Sequence, residues 1–403
     1  MRQASVGEAS YVTFERECQL PRYNVTGSIS SPVFEGPLSP AHVKLAVKQK
    51  TDEMEEASIG RRHRATSGSA TLRDVAKFAG VSSATVSRMM NAPELVSEEL
   101  RARITAAINH LGWVPHAAAR ALATQRSGTV GAIFPNVSNE HFATATQELQ
   151  ETLESSGYVL LLGCSQYDAE RELSQVRNML ERGVDAVVLV GESHHRDLYS
   201  LLEQRGVPFI NTFTYRAASE HLCVGVDNHK AFFNLTTYLL GLGHRRFAML
   251  SQTSAGNDRA TARRDGVRDA LAEHGLGISS SHLLEGPLNI RVGRELFAQV
   301  MQGSHPPTAV ICGNGSFAIG AMLEANERGI KVPEDLSLVG FDDFDVMAQL
   351  PTPITAISFP SAEIGRTAAR MVLDQLSGSK PVTSVEWDAQ MFIRASSGPV
   401  PTA

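Results

Sequence analysis

Several things are missing from this 403-residue sequence, and each absence removes a class of protein. No apolar run approaches the roughly eighteen residues of a membrane span. The opening stretch, MRQASVGEASYVTFERECQLPRYN, has no apolar core of the kind a secretory signal carries. Cysteine is scarce. Cys18, Cys164, Cys223 and Cys312 are scattered, without the close spacing of metal ligands. His194 and His195 are adjacent but stand on an expected loop, so no metal is expected there either. Few thiols and no signal predict a reduced, cytoplasmic protein without metal or cofactor. The last three cysteines read as small buried hydrophobes. No G-x-G-x-x-G follows a strand, and neither a phosphate-loop lysine motif nor a G-x-S-x-G elbow is present. The usual signatures of α/β enzymes are therefore lacking.

What remains is an ordinary globular composition, 42% hydrophobic and 20% charged. The length allows two or three domains. Charge is unevenly spread. Between Arg61 and Arg126 ten basic residues meet four acidic ones, a formal +6, while the rest of the chain carries −12. A basic module on an acidic body points to a polyanion partner.

Residues 1–69 lack periodicity, hold Pro, Ser and Gly clusters, and read as a disordered extension. Met54 would serve as a shorter translational start. Residues 70–114 read as three short helices. Thr71 caps the first, with Asp74 at the capping-box position, and Leu72, Val75, Ala76 and Ala79 form its apolar face. Gly80 breaks it at a tight turn. Ser82 caps the second helix, Val86, Met89 and Met90 face inward, and Pro93 stops it. Ser97 caps the third, with Glu98 and Glu99 in its first turn.

From Thr129 onward the pattern changes. Short β-rich runs such as TVGAIFP, DAVVLVG, TAVICGN and LSLVGFDD alternate with amphipathic segments of helix length. This βαβα order predicts parallel sheets covered by helices. The number of strands exceeds one comfortable sheet, so two similar lobes are expected, with a ligand cleft at the facing carboxyl ends of their strands.

A helix, a Gly-containing turn and a second helix on a basic module outline a helix-turn-helix, although any small three-helix domain with solvated polar faces has the same outline. In the first reading the second helix enters the DNA major groove. Ser83, Ala84, Thr85, Ser87 and Arg88 then face base edges or phosphates, and Arg88 suits a bidentate contact to guanine. Thr71, Ser82, Asn91 and Ser97 suit phosphate contacts.

The flanking residues discriminate. TLRDVAKFAGVSSATVSRMMN, VSEELRARI and GWVPHAAARALAT closely resemble the lactose-repressor (LacI) family of bacterial transcription regulators. The resemblance runs through PNVSNEHF, RRDGVRDAL, CGNGS, GFDD and AISFPSAEIGRTAA, over about residues 70–395. It implies an N-terminal helix-turn-helix DNA-binding domain at 70–114 and a hinge at 115–126. A two-lobed α/β effector and dimerisation domain of periplasmic-binding-protein type would follow at 127–397. The protein would bind a palindromic double-stranded operator as a homodimer, under control of a small-molecule effector. HAAARALA matches the family's hinge helix: His116 and Ala119 would lie against the minor groove and Leu122 would wedge between base pairs. An alanine-rich helix this short is marginal alone. The C-terminus, RASSGPVPTA, lacks the leucine heptads of a tetrameriser.

The resemblance also carries over effector contacts. Arg263 in R-x-x-G, Asn314 in CGNGS and Asp342 in GFDD match the family's contact positions, with His141 and Phe142 reaching in from the other lobe. Bland alternatives stand beside them: a surface salt bridge for Arg263, strand-end caps for Asn314 and Asp342. Phe213 and Gly315 replace two aspartates that family members often carry. Fewer acidic acceptors suit a sugar acid or another small carboxylate or phosphate at least as well as a neutral sugar. RNMLERGVDAVVLVGESHHRD is similar to the gluconate-type repressors. The rival readings are a cytoplasmic sugar- or carboxylate-binding enzyme of two-lobed α/β fold, a secreted solute-binding protein, and an architectural DNA binder.

Overall fold

The computed structural model describes residues 70–114, 126–378 and 380–401. The expected extension, 1–69, and the hinge residues His116, Ala119 and Leu122 lie outside the described residues. The chain forms two compact units, one ending at Gly112 and the other starting at Trp113. No described helix is long and apolar enough to cross a membrane.

The first unit holds α1 (Leu72–Ala79), α2 (Ser83–Asn91) and α3 (Glu98–Leu111). Thr71 and Asp74 close a reciprocal capping box at the start of α1. Gly80 ends that helix in the left-handed region. Arg103 of α3 donates to the Ala79 carbonyl over 2.7 Å, satisfying an orphan acceptor at the end of α1. Ser82 caps α2 by accepting from the Thr85 amide. Two sequence expectations are corrected here. Ser97 occupies the cap position of α3, but its side chain makes no capping bond. Met90 is exposed rather than inward, because the core is small. Val75, Val86, Ile104 and Ala107 are fully buried, and that core ends before the last turn of α2.

The second unit is two sheets of like topology. The first has strand order β11-β5-β4-β3-β1-β2 and the second β12-β10-β9-β8-β6-β7. Their strands are β1 (Thr129–Phe134), β2 (Val159–Cys164), β3 (Ala186–Val190), β4 (Phe209–Thr212), β5 (Cys223–Gly225) and β11 (Val385–Glu386), then β6 (Phe247–Gln252), β7 (Leu283–Gly286), β8 (Ala309–Cys312), β9 (Ser337–Phe341), β10 (Thr355–Ser358) and β12 (Gln390–Phe392). Pairing is parallel except at the edge, where β12 runs antiparallel to β10. Helices fill the connections: α4 (Glu140–Glu154), α5 (Ala169–Glu181), α6 (Leu198–Gln204), α7 (Asn228–Gly241), α8 (Asp258–Ala272), α9 (Ile290–Val300), α10 (Gly315–Glu327), α11 (Asp345–Gln349) and α12 (Ser361–Ser377). Cys223 and Cys312 are buried as expected, but Cys164 is only half-buried, because β2 is an edge strand.

The lobes exchange a helix. α7 follows β5 of the first lobe yet packs beside α8 of the second. α12 follows β10 of the second lobe yet packs beside α4 of the first. At each crossing a glycine admits close backbone approach. A Cβ on Gly266 would strike the His229 carbonyl, and one on Gly365 the Ala145 carbonyl. α4 buries Phe142, Ala145, Leu149 and Leu153 along one face, the 3.6-residue stripe of an amphipathic helix. Each large apolar side chain so buried contributes about 1.5–3 kcal/mol. The chain crosses between lobes near residues 226, 359 and 388, so the cleft is spanned by three strands of chain.

Candidate functional site

Two places carry chemistry. The first is the front of α2. Ser83, Ala84 and Arg88 are exposed, while Thr85 and Ser87 are half-buried. The Ser82 and Thr85 hydroxyls are hydrogen-bonded to each other at 2.8 Å. Small exposed residues at a helix N-terminus leave its backbone accessible to a polyanion. The Thr71 hydroxyl is already committed to Asp74 at 2.7 Å, so what Thr71 offers a phosphate is its place beside free N–H groups. Ser97 is exposed, and Asn91 is the last residue of α2.

The second is a small cavity between the lobes, with about 40 Å3 of open space, and it gathers all six side chains singled out from the sequence: His141, Phe142, Phe213, Arg263, Asn314 and Asp342. They arrive from different elements, α4, the end of β4, α8, the start of α10 and the end of β9, as expected of a site at strand carboxyl ends.

Arg263 is 7% exposed. Its guanidinium donates to Asn228 Oδ1 over 2.8 Å and stands 4.9 Å from the centre of the Phe341 ring, a cation–π distance. It is therefore no surface salt bridge. Burial pulls its pKa down to about 10, which the nearby Asp342 opposes and Arg259 reinforces. It stays cationic at neutral pH. Asp342 accepts from the Gly315 amide over 3.0 Å, while its backbone carbonyl bonds His141 Nε2 across the cleft. Asn314 caps α10, its Oδ1 accepting from the Phe317 amide at 3.0 Å. Its Nδ2, though buried, has no partner. The capping role and an available donor therefore coexist in one side chain. A buried unsatisfied donor costs about 1–3 kcal/mol, a cost that a ligand acceptor would remove.

Aromatic rings wall the cavity. Phe213 meets Phe142 edge-on at 4.9 Å, and Phe359 stacks on Phe341 at 5.0 Å. Phe213 and Asp342 both hold positive φ, 60° and 77°. For a bulky residue such as Phe213 that is a strained conformation, of the kind that collects at functional sites. Asn228 Nδ2 supports it by donating to the Phe213 carbonyl at 3.2 Å.

Sequence reasoning missed several lining residues, chiefly Arg259, Asn228, Tyr167, Gln252 and Asn257. Arg259 had a usable signal: it precedes Arg263 by four residues and so shares its helix face. Asn228 stands just past a strand end, as does Tyr167, but nothing local marks either as lining a cavity. His194 is accounted for by Glu172, which its Nδ1 meets at 2.8 Å.

Comparison with known proteins agrees with this architecture. The family described as periplasmic binding proteins and sugar binding domain of LacI family matches residues 127–388. The bacterial regulatory proteins of the lacI family match residues 71–116. The HTH-type transcriptional repressor CytR of Escherichia coli (strain K12) is 31% identical over 337 residues, 82% of this chain and 97% of that protein. The HTH-type transcriptional regulator GntR of the same strain is 28% identical over 307 residues, 76% of this chain and 92% of its own. These two stand at comparable identity, so neither sets a subgroup. A crystal structure of a LacI-family transcriptional regulator from Silicibacter pomeroyi superposes with a TM-score of 0.74 at 26% identity, covering 81% of this chain and 99% of that one. The chain thus belongs to the LacI family, whose members are DNA-binding transcriptional regulators with an effector-binding domain, not enzymes.

Proposed function

We propose that the protein represses transcription as a homodimer on a palindromic operator, and that an anionic small molecule, a sugar acid or similar carboxylate or phosphate, controls it through the cleft. In this reading residues 70–114 read DNA, 115–126 form the hinge and 127–397 bind effector and dimerise. Arg88 contacts a guanine, Ser83, Ala84, Thr85 and Ser87 line the base edges, and Thr71, Ser82, Asn91 and Ser97 lie along phosphates. His116, Ala119 and Leu122 follow the family's minor-groove hinge.

The observation that carries the effector class is the charge of the cavity. Its lining has two guanidiniums, Arg263 and Arg259, the latter also paired with Asp258 at 3.0 Å, against one lining carboxylate, Asp342, so Arg263 is the cation not already held by an ion-paired neighbour. The unpartnered Asn314 Nδ2 adds a donor, and Phe213 and Gly315 contribute no acceptor side chain. An anion would therefore be attracted, and acceptor oxygens would find N–H groups. Binding that favours one lobe arrangement would alter the spacing of the two hinge segments in a dimer, and so operator affinity.

The test is a gel shift on operator fragments selected from the source genome, with gluconate, galacturonate and glucose. The acids should change operator binding and glucose should not. Arg263→Ala should abolish the response while leaving effector-free DNA binding near normal. A response to glucose alone that survives Arg263→Ala would overturn the reading.

A further inference from the structure

The loop after β3 carries a glycine whose nearest neighbours belong to the opposite lobe. Gly191 holds φ at +84°, and a Cβ built on it would overlap Nη1 of Arg259 and Oδ1 of Asp258. Gly191 and Ser193 follow β3 in the first lobe, whereas Asp258 and Arg259 open α8 in the second. Two hydrogen bonds join these segments. Arg259 Nη1 donates to the Val190 carbonyl at 3.0 Å, and the Ser193 amide donates to Asp258 Oδ1 at 3.3 Å. Arg259 and Asp258 are themselves paired at 3.0 Å, so the two bonds brace each other.

The receiving loop is pinned on its own side. The Gly191 amide donates to the Thr212 carbonyl at 2.9 Å. His194 places Nδ1 at 2.8 Å from Glu172 of α5 and Nε2 at 3.0 Å from the Gly191 carbonyl, and both side chains are almost fully buried. Arg259 is buried too. Its bond to Val190 has an ionised donor, and such bonds are roughly twice as strong as neutral ones. Elsewhere in the cleft the His141 ring meets the Asp342 carbonyl of the other lobe. The cavity behind these contacts has about 40 Å3 of open space, little more than the roughly 30 Å3 that one water occupies in the liquid. A small molecule therefore enters only if the lobes part and the Arg259 contact breaks.

We infer that Arg259 is a latch: seated on Gly191, it holds the lobes together before any effector binds, and release of its bond to Val190 lets them part. It is a positioning residue, unlike Arg263, whose guanidinium bonds Asn228. Glycine at 191 is what makes room for it, since any side chain there displaces the guanidinium. The latch biases the lobe equilibrium on which an effector acts. The latch itself stands on these contacts. Its consequence for DNA rests on the reading of the cleft as the control site of a repressor.

Pulsed EPR distances in the effector-free full chain test it. Spin labels go on Ser174→Cys in α5 and Gln299→Cys in α9, exposed positions in opposite lobes. The background carries Cys18→Ser and Cys164→Ser, and labelled chains are diluted with unlabelled ones. The parent should give one narrow distance. Arg259→Ala removes the latch and Gly191→Ala pushes it off its seat. Each should add a longer distance, and each covers the case in which the other fails to fold. Arg264→Ala is the control, because its partners Ser254, Asp265 and Glu285 lie in its own lobe. It should keep the parent distance. In gel shifts without effector the two latch variants should change operator affinity about fivefold or more. Parent-like distances in both latch variants, or an equal shift in Arg264→Ala, overturn the latch and leave the anionic-effector reading standing. Parted lobes with unaltered operator affinity bear out the latch and overturn the coupling of the cleft to DNA.

Discussion

Arg263 and Asn228 form a buried pair in which the guanidinium donates to the amide oxygen over 2.8 Å. The amide nitrogen donates in turn to the Phe213 and Val226 carbonyls. One asparagine thus fixes the cleft's buried cation and the strained backbone at the end of β4. Because that partner is a neutral amide, the arginine is oriented without being neutralised. An arginine held this way is poised for an anion in a manner that an ion-paired one is not.

Arg88 is exposed on α2, one turn beyond the small exposed residues Ser83 and Ala84, and in the proposed reading it contacts a guanine. Arg88→Ala should cost about 1–3 kcal/mol on the operator and relax selectivity at one position in each half-site. Competition gel shifts against single-base operator variants measure this. Uniform weakening on every sequence would reassign the side chain to a phosphate.

The helix exchange between lobes makes a packing prediction. Gly365→Ala and Gly266→Ala each press a methyl group onto a backbone carbonyl, and overpacking of this kind costs about 1–3 kcal/mol. Gly241 closes α7 with open space where a Cβ would stand. There Gly→Ala should be neutral or stabilise by up to about 1 kcal/mol. Melting of the effector unit in the three variants compares them directly, and equal stability of Gly365→Ala and the parent would refute the close-contact account.

Much of this molecule was legible in the sequence where local physics dictates the outcome. The Thr71–Asp74 and Ser82 caps, the turn at Gly80, the βαβα alternation and the six cleft residues all rest on short-range chemistry or on family motifs. The losses occur where the outcome depends on distant neighbours. β7, β10, β11 and β12 are strands of two to four residues, too short to show a period. Met90 continues an apolar face that the small three-helix core does not reach. Helix exchange leaves no mark in periodicity, since α7 and α12 look like any crossover helix.

His244 is fully buried, with Nδ1 at 3.0 Å from the Thr308 hydroxyl and Nε2 at 3.0 Å from the Ser337 hydroxyl and 3.1 Å from the Gly398 carbonyl. It ties the C-terminal segment to β9. Burial pushes its pKa below the ordinary 6.5, with the neighbouring Arg245 acting in the same sense and the Gly398 carbonyl opposing. The unfolded chain then binds the proton more readily than the native one. The stabilising contribution is fully present above pH 6.5 and is lost as the pH falls below it, by at most about 1.4 kcal/mol per pH unit. His244→Gln removes that titration. Its melting temperature should lie below the parent's at pH 7.5, and the gap should narrow toward pH 5. A gap that stays constant or widens would contradict the assignment.

Asn314 separates fold from ligand within one side chain. Its oxygen caps α10 and its nitrogen is an unpartnered buried donor. Asn314→Ala removes both roles and should cost about 1 kcal/mol of stability through the lost cap. Asn314→Asp keeps an oxygen for the Phe317 amide, and aspartate caps as well as asparagine. Its second oxygen, however, presents an acceptor and a negative charge where the cavity had a donor. Stability should therefore stay near the parent's, while affinity for an acid effector falls about tenfold or more, because an ionised acceptor now faces ligand oxygens. Titration with gluconate and galacturonate, paired with melting curves for the two variants, gives both readouts. An Asn314→Asp protein that binds the acids as well as the parent would show that Nδ2 faces no ligand acceptor. The anion would then have to be held by Arg263 and Arg259 alone.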